Sequence, residues 1–106
     1  MPIQLTAAFD PGDVDPGVTY PRVIIKSFLC QPLTQEIAVV CEYGSGSSSS
    51  WTPGVVPTQE FLVSGSDYTT MIAELPDSGL EAIYDGAARV IYQWLIDEGH
   101  FAGTIV

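Results

Sequence analysis

The sequence predicts an α+β fold, in which a small antiparallel β-sheet built on a central hairpin is packed by one long C-terminal amphipathic helix. Two β-prone runs, at 22–30 and 36–43, are separated by five residues that include a proline, a pattern typical of a hairpin. Apolar residues then recur at helical spacing between residues 80 and 95. A chain of 106 residues has the length of one domain, and we expect residues 1–106 to form a single domain.

The N-terminal segment combines a short strand with two turns. Residues 3–9 (IQLTAAF) are β-prone, and the DPGDVDPG that follows contains two Asp-Pro-Gly triplets, which favour tight turns. The carboxylates of Asp10, Asp13 and Asp15 are oxygen ligands of the kind that calcium prefers. Their spacing differs from that of an EF-hand loop, so turn formation is the main interpretation and a cation site at these three residues is the alternative.

The central hairpin carries apolar residues on both faces. A turn around residues 33–34 places Cys30 opposite Ile37 and Cys41 opposite Lys26, so the two thiols are not opposite each other. Both are predicted to be free and buried. In this register one face holds Ile24, Phe28, Cys30, Ile37, Val39, Cys41 and Tyr43. A sheet with one face in water would alternate apolar and polar residues. We therefore expect cover on both faces, by the helix on one and by another layer or a neighbouring subunit on the other.

A Gly/Ser-rich run, GSGSSSS at 44–50, predicts a flexible loop after the hairpin. Trp51 follows this run directly, and Val55 and Val56 come shortly after it in an irregular stretch. A tryptophan beside a flexible segment is either an interface residue or a lid over the core of its own domain. We predict that Trp51, Val55 and Val56 contact a partner, with the lid as the alternative for Trp51.

Residues 59–64 are expected to form a strand, and residues 69–75 a short helix that stops at Pro76. Ser78 and Glu81 then form a capping box, which predicts the start of the long helix. The apolar stripe of this helix comprises Leu80, Ile83, Tyr84, Ala87, Val90, Ile91, Trp94 and Leu95.

Gly99 is the predicted end of the long helix. The residues after it, FAGTIV at 101–106, are too apolar for a loose tail. We expect them to pack as a final short strand or clasp, on this chain or on a neighbour. Phe101 and Ile105 are therefore further interface candidates.

The charge of the chain limits the classes of partner. Thirteen acidic residues face three basic ones, giving a net charge of −10, and such a field repels the phosphate backbone of nucleic acid. No run approaches the roughly 18 apolar residues of a membrane helix. Charged residues make up only 15% of the chain and its mean hydropathy is +0.25, so few charges are available to cover the surface. We therefore expect exposed apolar surface that serves as an interface.

Catalytic and metal motifs are not recognisable in the sequence. The one histidine, His100, follows the helix without a neighbouring nucleophile, and helix ends favour such residues for capping. The spacing of Cys30 and Cys41 is not that of a zinc site. No glycine-rich phosphate loop occurs between a strand and a helix. The sequence therefore predicts a protein that is not an enzyme and that uses no cofactor and no small-molecule substrate.

The order of elements carries a family resemblance. The hairpin and glycine-rich loop are followed by VSGSDY at 63–68 and by a terminal helix that ends in IYQWLIDEGHFAGTIV at 91–106. This arrangement resembles small uncharacterised proteins encoded among the structural genes of tailed bacteriophages. The resemblance covers the C-terminal part of the chain and, more loosely, the hairpin at 22–43, and it assigns no role to any residue.

This resemblance implies a virion component present in many copies, either a capsid decoration protein or a part of the head–tail connection or tail. Its partners would be other virion proteins and copies of itself, and it would be made in the host cytoplasm before it joins the virion. An acidic surface would keep such a component from adhering to packaged DNA.

A small acidic inhibitor, such as a DNA mimic that occupies a basic groove, is the first alternative hypothesis, and an enzyme that uses a metal at the acidic N-terminal loop is the second. The net charge of −10 suits the inhibitor. A mimic should display dense rows of carboxylates, whereas the acidic residues here are scattered along the sequence. We therefore take assembly in a virion as the main hypothesis.

Overall fold

The computed structural model describes residues 2–47, 49–74 and 80–106, with side chains described in 2–47, 49–74 and 88–106. The strands of the described residues are β1 (Ile3–Phe9), β2 (Tyr20–Gln31), β3 (Glu36–Ser47), β4 (Ser50–Pro53), β5 (Gln59–Ser64) and β6 (Gly103–Ile105). The helices are α1 (Gly65–Glu74) and α2 (Leu80–Asp97), and a single 3-10 turn spans Gly12–Val14.

All six strands belong to one antiparallel sheet with the order β4-β3-β2-β1-β6, and β5 also pairs with β3. β3 is the central strand, because β2 pairs with it along one side while β5 and β4 share the other. β5 pairs with the first half of β3, from Glu36 to Cys41, and β4 pairs with its last residues, from Gly44 to Ser47. The short strand β6 forms the opposite edge of the sheet, next to β1.

The predicted fold class, an α+β domain in which one long C-terminal helix packs on a small sheet built on a hairpin, is wrong. The structure is mainly an antiparallel sheet of six strands that carries two helices. The part of α2 with described side chains is short, residues 88–97, and its buried contribution is Ile91, Tyr92 and Leu95. Strand β6 confirms the final short strand expected within residues 101–106, and it pairs with β1 of the same chain. Strand β4 was not expected, and it pairs with the last residues of β3.

The Gly/Ser-rich residues 44–50 also differ from the prediction of a flexible loop. Gly44–Ser47 continue β3, and Ser50 begins β4, so the described part of this run forms a second hairpin. Ser48 lies outside the described residues. Glycine and serine have low strand propensity, so the ladder hydrogen bonds and the packing of the neighbouring strand decide this conformation.

The predicted start of α2 cannot be compared with the structure, whereas its predicted end can. The predicted capping box of Ser78 and Glu81 lies outside the described residues and side chains, as do the side chains of Leu80, Ile83, Tyr84 and Ala87. The C-terminal stop at Gly99 is confirmed. Gly99 has a φ of 78°, its amide donates to Ile96, and the amide of His100 donates to Leu95, which together form a Schellman motif.

The β2–β3 hairpin has the predicted register next to its turn, where Cys30 pairs with Ile37. The turn closes with a hydrogen bond from the amide of Gln35 to the carbonyl of Pro32 at 3.3 Å. Gln35 has a φ of 55°, the left-handed region that glycine adopts at lower cost than glutamine.

A β-bulge between Ile25 and Ser27 shifts the register further along the hairpin. Cys41 consequently lies opposite Ile25 rather than opposite Lys26, so this part of the predicted register is wrong. A shift of one residue exchanges the two faces of a strand, which places Ile25 in the core and Ile24 on the other face. Neither glycine nor proline occurs at the bulge, so the sequence pattern does not mark it.

The core lies between one face of the sheet, here called the inner face, and the two helices. Its buried members are Ile3, Val23, Ile25, Ile37, Val39, Cys41, Val63, Met71, Ile91, Tyr92, Leu95 and Phe101. Burial of each large side chain stabilises the fold by about 1.5–3 kcal/mol. The helices therefore cover the inner face, whereas Leu29 and Leu62 on the opposite, outer face of β2, β3 and β5 are exposed.

Candidate functional site

The outer face of the sheet carries an apolar patch where β2, β3 and β5 run side by side. Ala38 pairs with Leu29 on one side and with Leu62 on the other, so the three side chains share one face. Their sequence neighbours Ile37 and Val63 point to the inner face and are buried. Val40 lies two residues from Ala38 on the same face. These four residues, Leu29, Ala38, Val40 and Leu62, are called the outer patch below.

The outer patch is open to solvent. Leu29 is 59% exposed and Leu62 is 53% exposed, although both belong to the regular ladder of the sheet. A shallow depression of about 260 Å³ lies beside Leu62 and is lined by Ala38, Val39, Val40, Glu60, Phe61 and Leu62. No element in the described part of the chain covers these side chains. The patch is thus an exposed apolar surface on paired strands, with a shallow depression beside Leu62.

Carboxylates adjoin the outer patch on two strands. Glu36 lies two residues from Ala38 along β3, and Glu60 lies two residues from Leu62 along β5, so both share the outer face. Neither forms an ion pair with a basic side chain among the described residues. Lys26, the basic residue at the bulge, instead contacts Glu42 with 3.6 Å between Nζ and Oε2. The patch therefore combines an apolar centre with a negative margin.

The outer patch ends at the free edge of β5. One edge of β5 pairs with β3 from Gln59 to Ser64, and no other described strand pairs with it. The amide and carbonyl groups of a free edge can pair with a strand of another chain. Within this strand, Glu60 is the only charged residue that would oppose such pairing.

Trp51, the first of the predicted interface residues, is attached to its own sheet. It pairs with Gly46 across β3 and β4, and its ring lies over Gly44. A Cβ atom at Gly44 would lie 2.6 Å from Cζ2 of the indole, so the close contact requires glycine at this position. The indole Nε1 donates a hydrogen bond to Oε1 of Glu42 at 2.9 Å. Trp51 is therefore a partly buried cover of its own sheet, although one side of the ring remains accessible.

The other predicted interface residues lie in different environments. Val55 is exposed, and Val56 is partly buried. Phe101 is buried in the core and packs edge-on against Tyr43 and Phe61, with ring centroids 5.8 and 5.4 Å away. Ile105 pairs with Ile3 in β6 and packs against the core. Phe101 and Ile105 therefore pack on this chain, the first of the two alternatives expected for residues 101–106, and Ile105 is only partly buried.

The Asp-rich loop uses its carboxylates within the chain. Asp10 Oδ1 accepts a hydrogen bond from the amide of Gly12 at 2.8 Å, and Asp15 Oδ2 accepts one from the Tyr20 hydroxyl at 2.7 Å. Asp13 lies exposed in the 3-10 turn. Among the described residues, no three His, Cys, Asp or Glu side chains are grouped in a way that could hold a metal ion. These contacts support the turn interpretation of Asp10, Asp13 and Asp15.

His100 and the cysteines make packing contacts. The imidazole of His100 lies between Phe61 and Trp94, with ring centroids 4.5 and 5.2 Å away. Cys30 and Cys41 are both free, as predicted. The expected burial is wrong for Cys30, which is exposed, and correct for Cys41, whose burial raises the pKa of its thiol to about 12. The Cys41 thiol is therefore protonated at neutral pH and behaves as a small apolar side chain.

A groove of about 430 Å³ lies on the other side of the sheet, between the end of β1 and the segment that follows α2. Phe9, Tyr43 and Phe101 are among the residues that line it, and the ring centroids of Phe9 and Tyr43 are 4.0 Å apart in a stacked arrangement. Phe101 is buried and Tyr43 is partly buried, so the groove exposes less of its large apolar side chains than the outer patch does. It is a weaker candidate than the outer patch.

Comparison of the chain with protein-family models, with curated proteins and with solved structures finds no match. In the described part of the chain, neither helix has the length and apolar character needed to span a bilayer. The outer patch and the charges around it are therefore the features from which a function can be inferred. Leu29 and Leu62 were not among the predicted site residues. The sequence did indicate that both faces of the hairpin are apolar, and from this we expected a second cover on the face where Leu29 lies.

Proposed function

We propose that the protein is a non-enzymatic structural component of a tailed-phage virion, either a capsid decoration protein or a part of the head–tail connection or tail. It acts through protein–protein contacts. The observation that carries this proposal is the outer patch, where Leu29 and Leu62 are 59% and 53% exposed on regular strands. Exposed apolar surface of this kind marks interaction sites in soluble proteins. A component of a repeated assembly would bury it against a neighbour.

The charge of the chain supports a protein partner over nucleic acid. The net charge is −10, and of the three basic residues Lys26 is held by Glu42 and Arg22 donates to Gln4 and to the carbonyl of Gly46. These contacts do not remove the positive charges, but thirteen acidic residues outnumber the three basic ones, and a net negative field of this size repels a phosphate backbone. An acidic component could therefore sit on a DNA-filled particle without binding its contents.

The resemblance of the C-terminal segment 91–106 to phage structural proteins supports the virion as the location. The arrangement of the sheet supports the same assignment, because an exposed apolar patch beside an edge of β5 that no described strand pairs with suits contacts that repeat across a lattice. The core does not require the outer patch, so that surface can change to suit a neighbour without loss of the fold.

The test is the composition of purified particles from the phage or prophage that encodes the chain. Quantitative mass spectrometry is expected to find the chain in a fixed ratio to the major capsid or tail-tube protein. A replication protein of the same phage, measured in the same preparations, controls for carry-over from the lysate. If the chain is abundant in infected cells but depleted from particles as fully as that control protein, the proposal is overturned.

A small acidic inhibitor is the second candidate, and one observation favours it. A cleft of about 170 Å³ between α1 and α2 is lined by four carboxylates, those of Asp67, Glu74, Asp97 and Glu98. Such a cleft could receive a basic side chain of a target enzyme. An inhibitor would form a soluble one-to-one complex with that enzyme and would not be found in particles.

A further inference from the structure

We infer that the outer patch docks a basic protein of a different kind from this chain, whose contact surface presents apolar side chains flanked by lysine or arginine. This inference rests on the proposed function as an assembly component and specifies the chemistry of its partner. It follows from the apolar centre of the patch, from the carboxylates at its margin and from the charge of the whole chain.

The apolar centre sets the size of the occupant. Leu29, Ala38 and Leu62 form one row across three neighbouring strands. Strands in a sheet lie about 4.8 Å apart, so the row spans roughly 10 Å. That width matches one α-helix with its side chains. A single amphipathic helix lying along the strands, over Ala38, would therefore be wide enough to cover the exposed parts of Leu29 and Leu62.

The margin sets the charge of the occupant. Glu36 and Glu60 lie on the same face as the patch, on different strands, and neither has a basic partner among the described residues. The one nearby cation, Lys26, is bound to Glu42. Lysine or arginine residues beside the apolar stripe of the partner would meet these carboxylates. Complementary charges of this kind give orientation and speed to association.

A second copy of the chain fits this surface less well. Two patches in contact would bring two sets of Glu36 and Glu60 together, and each whole chain carries a charge of −10. Like charges across an interface oppose association. Charge complementarity therefore favours a basic protein over another copy.

The probe for this inference is a synthetic helical peptide with leucine on one face and lysine on the other. Two comparators keep the same pattern, one with glutamate in place of lysine and one with serine in place of leucine. Fluorescence anisotropy of the labelled peptides, with the full chain at about 0.1 M salt, gives the affinities. We expect the leucine–lysine peptide to bind at least about tenfold more tightly than either comparator.

Matched variants locate the binding. Leu62→Thr and Leu29→Thr should each weaken binding about tenfold, whereas Leu33→Thr, at a side chain 101% exposed on the hairpin turn, should leave it unchanged. Glu60→Gln should weaken binding and reduce its salt dependence. Asp13→Asn removes one charge at the distant exposed loop, and it should change neither.

Amide chemical shifts of the unmodified protein give a measurement that needs no variant. Peptide binding is expected to shift residues 27–29, 38–40 and 60–62, and to leave residues 12–15 in place. The inference is overturned if Leu33→Thr weakens binding as much as Leu62→Thr, or if the shifts fall elsewhere, since binding would then reflect general attraction to an acidic chain.

Light scattering of the unmodified chain and of Leu62→Thr separates this inference from the proposed function. Self-association that Leu62→Thr abolishes would show that a second copy covers the patch. That outcome overturns the inference of a basic partner but does not contradict the proposed assembly function. Absence of the chain from virions overturns the assembly function, whatever the peptide does.

Discussion

The hydroxyl of Tyr92 on α2 accepts a hydrogen bond from the backbone amide of Ile25 on β2, with 2.8 Å between the two atoms. Ile25 lies at the bulge, where the ladder between β2 and β3 is interrupted. A buried amide needs an acceptor, and here a helix side chain supplies it. The bond therefore joins the helical layer to the place where the central hairpin changes register.

Replacement of Tyr92 by Phe should destabilise the protein by about 1–3 kcal/mol, because the amide of Ile25 is left buried without this acceptor. Urea unfolding followed by circular dichroism measures the loss. Tyr68→Phe is the matched control, since the Tyr68 hydroxyl faces the exposed thiol of Cys30 at 3.9 Å. Equal losses in the two variants would contradict the role given to the Tyr92 hydroxyl.

Glycine at position 35 should stabilise the protein by about 0.5–1 kcal/mol. Gln35 has a φ of 55°, a conformation that costs glutamine free energy and that glycine adopts readily. Thermal and urea unfolding of Gln35→Gly measure the gain. Thr34→Gly, at the neighbouring position without a positive φ, should give no gain, and a similar gain there would argue against backbone strain as the cause.

The buried thiol of Cys41 predicts a loss of stability in alkali. Burial raises the pKa of this thiol from an ordinary value of 9.0 to about 12. The unfolded chain therefore releases this proton at lower pH than the folded chain. The contribution of the protonated Cys41 thiol to the free energy of unfolding is therefore fully present below pH 9, and it is lost as the pH rises toward 12.

Urea unfolding between these pH values measures this effect. Cys41→Ala should make the decline less steep, and Cys30→Ala should leave it unchanged because Cys30 is exposed. A thiol reagent at pH 8 should modify Cys30 in the native protein and reach Cys41 only after unfolding. Rapid modification of both thiols in the native state would contradict the burial of Cys41.

Trp51→Phe should lower the free energy of unfolding by about 1–2 kcal/mol, because it removes the hydrogen bond from the indole to Glu42 while it keeps an aromatic ring over Gly44. Glu42→Gln keeps an acceptor oxygen and should cost less. Chemical denaturation of both variants checks this order. If Trp51→Phe is as stable as the unmodified chain, the indole hydrogen bond does not stabilise the fold, and contact with a partner would be the only role left for Trp51.

Two features of the fold could be predicted from local chemistry. The hairpin register at Cys30 and Ile37 follows from the length of the turn, and the end of α2 at Gly99 follows from the left-handed conformation that glycine permits. The bulge at Lys26 could not be predicted, because it depends on the helix that supplies the Tyr92 hydroxyl. A tertiary contact of this kind leaves no local pattern.

The candidate site was only partly visible in the sequence. Apolar residues on both faces of the hairpin indicated that the outer face needs a cover, which is where the outer patch lies. The alternation of apolar residues along the hairpin could not show that β5 pairs with β3 and places Leu62 beside Ala38. That pairing joins segments that are distant in the sequence. Phe101 was assigned to an interface because it is apolar and near the terminus, yet the aromatic rings of Tyr43 and Phe61 enclose it.

The free edge of β5 gives the acidity of the chain a role in solubility. Edges of this kind lead to aggregation unless charge or cover prevents it, and β5 itself contains only one charged residue, Glu60. The net charge of −10 opposes contact between copies of the chain, and this repulsion weakens as pH falls toward the isoelectric point near 4.1. Neutralisation by a bound basic protein would have the same effect as acid. Chains would then stay dispersed while free and join edge to edge only where such a partner had already gathered them.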